Sequence, residues 1–197
     1  MVVGVRHAAV WNPEGVVYAR LPGFHLSESG RAEAQQLSRD LSPVGVASIQ
    51  ASPLERAVET ARILAEPHGL DVVFDERLLE WSFWSHWEGL PWTRIRERDP
   101  ELLEGYASDP ASAWPQDPLE AAGARVLAWA ADAERAFPEG QVLGVTHEAP
   151  LVAAYLLGSG RSLATYHATN LPHLGTVRLR PGPVEIVDLP EWAARSC

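Results

Sequence analysis

The sequence contains no lysine: all sixteen basic residues are arginine. Schiff-base chemistry and the lysine of a phosphate-binding loop are therefore excluded. Cysteine occurs once, as Cys197, which excludes an internal disulfide and any zinc site built from several cysteines. No apolar run approaches the ~20 residues that a membrane-spanning helix requires. The opening stretch, MVVGVRHAAV, lacks the basic lead and long apolar region of a secretory signal, so a cytoplasmic location is expected. Acidic side chains outnumber basic ones to give a net charge of -10, which argues against nucleic acid or an anionic membrane as partner.

What is present points to a folded globular chain. Hydrophobic residues make up 46% of it and charged residues 21%, too apolar a balance for disorder. A length of 197 residues leads us to expect one domain over 1–197, with 81–118, rich in Trp and Pro, as an irregular lid or insertion.

Short apolar runs alternate with helical patterns. Val2–Val5, Val44–Ile49, Leu70–Phe74 and Gln141–Val145 read as strands; Ser27–Leu41, Leu119–Phe137 and Leu151–Leu157 read as helices. Ser52-Pro53-Leu54-Glu55 reads as a helix start, with Ser52 as the capping residue and the helix running to about Ala65. Residues 107–118 read as a loop. Thr176–Arg180 and Val184–Asp188 read as two alternating strands around a Pro-Gly-Pro turn. The expected fold is α/β: a three-layer α/β/α sandwich with a mostly parallel sheet and an antiparallel edge strand.

Three polar groupings fall just beyond three of these strands: Arg6-His7, Ser52 to Arg56, and Thr146-His147-Glu148. Carboxyl ends of strands line the ligand crevice of an open α/β sheet, so two histidines and two arginines converge on one edge. Arg56 lies in the first turn of its helix, where the macrodipole disfavours a cation unless an anion completes the charge balance. The competing expectation is an ion pair with Glu55 or Glu59. A neutral imidazole can attack phosphorus while arginines neutralise the transferring oxygens and a carboxylic acid protonates the leaving alcohol. His147-Glu148 begins like a zinc-protease helix, but position 151 is leucine and the second ligand is missing. Arg94, Arg96 and Arg98 interleave with acids and read as a solvated helix face.

These groupings, with Leu26-Ser27-Glu28-Ser29-Gly30-Arg31, Thr60-Ala61, Glu80 and Trp87-Glu88-Gly89 in that order, resemble the histidine phosphatase superfamily, the phosphoglycerate mutase-like proteins. The resemblance spans about residues 2–180. It implies a phosphohistidine on His7, with Arg6, Arg56 and His147 holding the phosphoryl group and Glu80 donating the proton. Asn12 is a further phosphate contact by the same matching. Glu148 is the alternative proton donor, because another branch carries an aspartate directly after this histidine. No metal or organic cofactor is implied, and a homodimer is an open expectation. The family's usual Arg-His-Gly-Glu start reads Arg6-His7-Ala8-Ala9 here.

The expected activity is that of a phosphomonoesterase acting on small phosphorylated metabolites. A phosphomutase is the alternative, and a silent phosphate- or phosphopeptide-binding protein is the second. Trp81 and Trp84 are expected to wall the pocket and favour an apolar or aromatic leaving group.

Overall fold

The computed structural model describes residues 1–180 and 182–187. Pro181 in the expected turn, Asp188 at the end of the last expected strand, and Cys197 lie outside them. The strands are β1 (Val2–Arg6), β2 (Val46–Ala51), β3 (Val72–Phe74), β4 (Gln141–Thr146), β5 (Thr176–Arg180) and β6 (Glu185–Val187). They form one sheet in the order β3-β2-β4-β1-β5-β6. The first four run parallel to one another; β5 pairs antiparallel to β1 and to β6. The hairpin β5–β6 thus supplies the sheet's edge, and the antiparallel strand sits one place in from it.

The helices are α1 (Glu28–Leu41), α2 (Glu55–Ala65), α3 (Trp92–Arg98), α4 (Pro100–Ser108), α5 (Leu119–Ala136) and α6 (Glu148–Gly158). The period-2 alternation of the strands separates two cores. Val3, Val5, Leu143 and Val145 meet Leu37, Leu41, Ala61 and Leu64 of α1 and α2 on one face. Val2 and Val142 meet Val126, Trp129 and Leu151 of α5 and α6 on the other. Each fully buried Val or Leu contributes about 1.5–3 kcal/mol, so both helical layers are held by apolar burial. Gly4 and Gly144 are register partners on the α5–α6 face. A Cβ on Gly144 would lie 2.1 Å from a ring carbon of Trp129, and one on Gly4 would lie 2.5 Å from a methyl of Leu151. The paired glycines let both side chains lie directly on the sheet.

Two details differ from expectation. Ser52 does not cap α2; the helix begins at Glu55 with Leu54 in the capping position and no side-chain cap. The stretch between 92 and 108, expected within an irregular lid apart from the solvated helix face of Arg94, Arg96 and Arg98, is helical as α3 and α4; those arginines are exposed on α3 and Ile95 is buried beneath them. The period beyond α3 is hidden in sequence because each helix is short and Asp99 alone separates them, ahead of Pro100 in the first turn of α4.

The topology places the crevice. The chain leaves β1 towards α1 on one face, and leaves its neighbour β4 towards α6 on the other. Such a divergence opens a cleft at the carboxyl ends of the two strands.

Candidate active site

Arg6 ends β1 opposite Thr146, which ends β4, and the His7 amide donates to the Thr146 carbonyl at 2.9 Å. His7 and His147 therefore emerge side by side, with ring centroids 5.2 Å apart. The loop after β1 is pinned by α1. Ser27 caps that helix through the Gly30 amide at 3.0 Å and donates its own amide to the Ala9 carbonyl at 2.9 Å. Gly30 is needed there, because a Cβ would fall 2.2 Å from the Ala9 oxygen. Ala8, where the family start has glycine, is buried beside Leu26 and Ala34.

His7 Nδ1 donates to the Ala8 carbonyl at 2.8 Å, which leaves the Nε2 lone pair free to accept from Arg56 Nε at 3.2 Å. Burial, reinforced by the charge of Arg56, holds His7 well below the ordinary histidine range. The neutral imidazole is therefore favoured, with Nε2 as its lone-pair nitrogen. Arg56 is 1% exposed, donates to the Ala19 carbonyl at 2.7 Å and lies over the Tyr18 ring at 4.8 Å. Neither candidate carboxylate takes it: Glu55 accepts from the Gly23 amide, and Glu59 binds Arg31 and His25. Among the described residues no carboxylate pairs with Arg56.

His147 is fully buried, and its Nε2 lies 2.8 Å from Ser52 Oγ. Its Nδ1 has no partner among the described groups. Ser52 Oγ already accepts from the Leu54 amide at 3.4 Å. The hydroxyl keeps a hydrogen and a second lone pair for His147 Nε2, so Nδ1 is the ring nitrogen left for a further partner. Burial first, then Arg56, holds His147 well below the ordinary range.

A cavity of about 280 Å³ opens at His7, lined also by Arg6, Asn12, Glu80 and Glu148 together with aromatic side chains; Arg56, His147 and Ser52 lie behind this lining rather than in it. A model described as histidine phosphatase superfamily (branch 1) matches residues 2–187. The chain belongs to that superfamily. It is 30% identical to phosphoserine phosphatase 1 of Hydrogenobacter thermophilus over 165 residues, covering 82% of this chain and 77% of the relative. It is 47% identical over 76 residues to an uncharacterized protein of Mycobacterium tuberculosis, an alignment covering 39% of this chain and 38% of that relative's length. Bacillus stearothermophilus YhfR shares the fold with a TM-score of 0.84 at 24% identity, covering 96% of this chain and 98% of that chain.

In this histidine phosphatase superfamily member the two candidate acids sit in different surroundings. Glu80 is 9% exposed, accepts from the Trp81 amide at 2.8 Å, and is pushed above the ordinary carboxylate range by burial. Its segment is fastened by Thr146 Oγ1 donating to Leu78 and by Arg20 donating to the Glu80 carbonyl. Glu148 is 42% exposed and forms an ion pair with Arg6 at 2.8 Å. Asn12 lines the cavity, but both ends of its amide are engaged by the Val16 backbone, so it fixes the 12–16 turn.

Trp87-Glu88-Gly89 serves the same wall. The Gly89 amide donates to the Val17 carbonyl, the Val17 amide donates to the Leu90 carbonyl, and Glu88 accepts from the Arg20 amide. Trp84 lines the cavity as expected, whereas Trp81 is fully buried with its Nε1 on the Asp117 carbonyl, and Trp92 stands at the mouth instead.

Sequence reasoning missed Tyr18, the partnership of Ser52 with His147, and His173. The His173 ring lies 5.6 Å from that of His7 and is held neutral, pushed down to about 4 by burial and by Arg6. Ser52 could have been found as the first residue beyond a strand end; His173 arrives from the turn before β5 with no local signal. Ala19 and Leu174 have φ of 29° and 59°, and each meets one of the arginines: the Ala19 carbonyl accepts from Arg56, and the Leu174 amide donates to the Arg6 carbonyl. Backbone strain of this kind collects where a site is positioned. Among the described residues no group of three or more His, Cys, Asp or Glu is arranged to hold a metal ion.

Proposed function

We propose that the chain is a phosphomonoesterase acting on small phosphorylated metabolites through a phosphohistidine on His7. One observation carries this reading: a buried arginine without a carboxylate partner donates to the free nitrogen of a neutral, buried histidine. A buried charge left unpaired costs several kcal/mol, and an entering phosphoryl dianion offsets that cost. The unused Nδ1 of His147 supports its role as a further donor to the phosphoryl oxygens.

In the first step His7 Nε2 bonds to phosphorus and the P–O ester bond breaks, with Glu80 giving its proton to the leaving alkoxide. In the second, water attacks the phosphohistidine and gives a proton to Glu80 as the P–N bond breaks. Inorganic phosphate, neutral His7 and protonated Glu80 result. Glu80 is assigned as donor because its burial favours the protonated form, whereas Glu148 is engaged by Arg6 at 2.8 Å. Hydrolysis is favoured over phosphate relocation because a mutase must also hold a second anionic group, and Arg6 is the one arginine among the described lining residues.

The test is phosphate release from a panel of phosphomonoesters by wild type and His7→Ala, with a chelator present. Release by wild type that is lost in His7→Ala and persists with the chelator is expected. No release from any ester would overturn the reading.

A further inference from the structure

The walls of the cavity beyond the phosphoryl site are aromatic and acidic. Tyr18, Trp84, Trp92 and Tyr166 line it. Trp84 meets Trp92 edge-on at 5.7 Å and Tyr106 at 5.1 Å. Tyr18 stacks on Phe24 at 5.1 Å. Trp92 leaves half its surface exposed at the mouth, where an apolar ligand would cover it. The ionisable carboxylates and guanidinium among the described lining residues are Glu80, Glu148 and Arg6; burial favours the neutral form of Glu80, and Glu148 has already taken an Arg6 nitrogen. His173 beside His7 adds no positive charge near neutral pH. A carboxylate on the leaving group would therefore meet Glu148 with no cation left to receive it.

Resting on the phosphatase reading above, we infer that the substrates are esters of small alcohols bearing an uncharged aromatic or apolar group, and that Glu148 with the Trp84–Trp92 wall rejects leaving groups that carry a carboxylate. Rigid aromatic rings give contact area at little entropic cost, and like-charge juxtaposition across a site is the stronger source of discrimination.

Binding separates this inference from turnover. His7→Ala protein is titrated calorimetrically with 2-phenylethyl phosphate, glycerol 3-phosphate and 3-phosphoglycerate, all alkyl esters of comparable leaving ability. The phenylethyl ester is expected to bind on the order of tenfold more tightly than 3-phosphoglycerate. Adding Trp92→Ala should weaken the phenylethyl ester about threefold or more and leave glycerol 3-phosphate unchanged. Adding Glu148→Gln should improve 3-phosphoglycerate more than the other two, a ratio that a general gain from freeing Arg6 does not move. Equal or tighter binding of 3-phosphoglycerate by His7→Ala, or ratios unmoved by both added substitutions, would overturn the inference even if wild type hydrolyses every ester. Selective binding without hydrolysis by wild type would uphold the selectivity and defeat the phosphatase reading.

Discussion

Glu80 and Glu148 show how surroundings distinguish two carboxylates that line one cavity. Burial favours the protonated form of Glu80, and the half-exposed Glu148 is paired with Arg6. The proposed mechanism needs His7 neutral and Glu80 protonated together. His7 is lowered and Glu80 is raised, so the active window lies between the two shifted values. In Glu80→Gln the loss in kcat/KM should be about 10²–10⁴-fold for alkyl esters and far smaller for 4-nitrophenyl phosphate, which needs little help in leaving. The alkaline limb should also change in that variant. The phosphoryl group's own ionisation near ~6 is common to both proteins, so the difference between their pH profiles is what reports Glu80. Equal losses on good and poor leaving groups, or an identical change in Glu148→Gln, would move the donor role to another group.

At the scale of elements, the sheet is specified by small residues as much as by large ones. Gly144 accepts the face of Trp129, whose Nε1 reaches across to Gln50 on β2 at 2.7 Å. Gly144→Ala should cost about 1–3 kcal/mol through overpacking, at roughly 2–4 °C in Tm for each kcal/mol in a chain of this size. Gly45→Ala, where an added Cβ meets nothing within 4 Å, serves as the control and should be close to neutral. Thermal unfolding of the two variants decides the matter; equal shifts would mean that Trp129 is not seated as described. The strands and long helices were legible because alternation and capping are local: Ser27 caps α1 where Ser27–Leu41 was read as helical. Ser52 was misread because its context is also that of a cap. Its hydroxyl is instead taken by His147, 95 residues away in sequence. Tyr18 under Arg56 and His173 beside His7 depend on where two loops return, and no period or motif encodes that.

For the whole molecule, the site is a cost to stability that the two apolar cores offset. Three histidines, His7, His147 and His173, have lowered values in the folded chain, all chiefly through burial. Each contributes stability in full above the unfolded value of about 6.5, and that contribution is lost as pH falls towards the folded value. Glu80 acts with the opposite sign, since its raised value favours the folded state at lower pH. The informative comparison is therefore between proteins: from pH 7 to 5 wild type should lose more stability in denaturant unfolding than His7→Asn does. Parallel profiles would show that His7 is not buried neutral. The arginines and histidines brought together by the β1–β4 divergence have one most direct test, rapid acid-free quenching during turnover of a phosphate ester followed by peptide mapping. An acid-labile, alkali-stable phosphoryl group on the peptide containing His7, absent in His7→Ala, is expected. Turnover of the ester with that peptide never phosphorylated would contradict the phosphohistidine route.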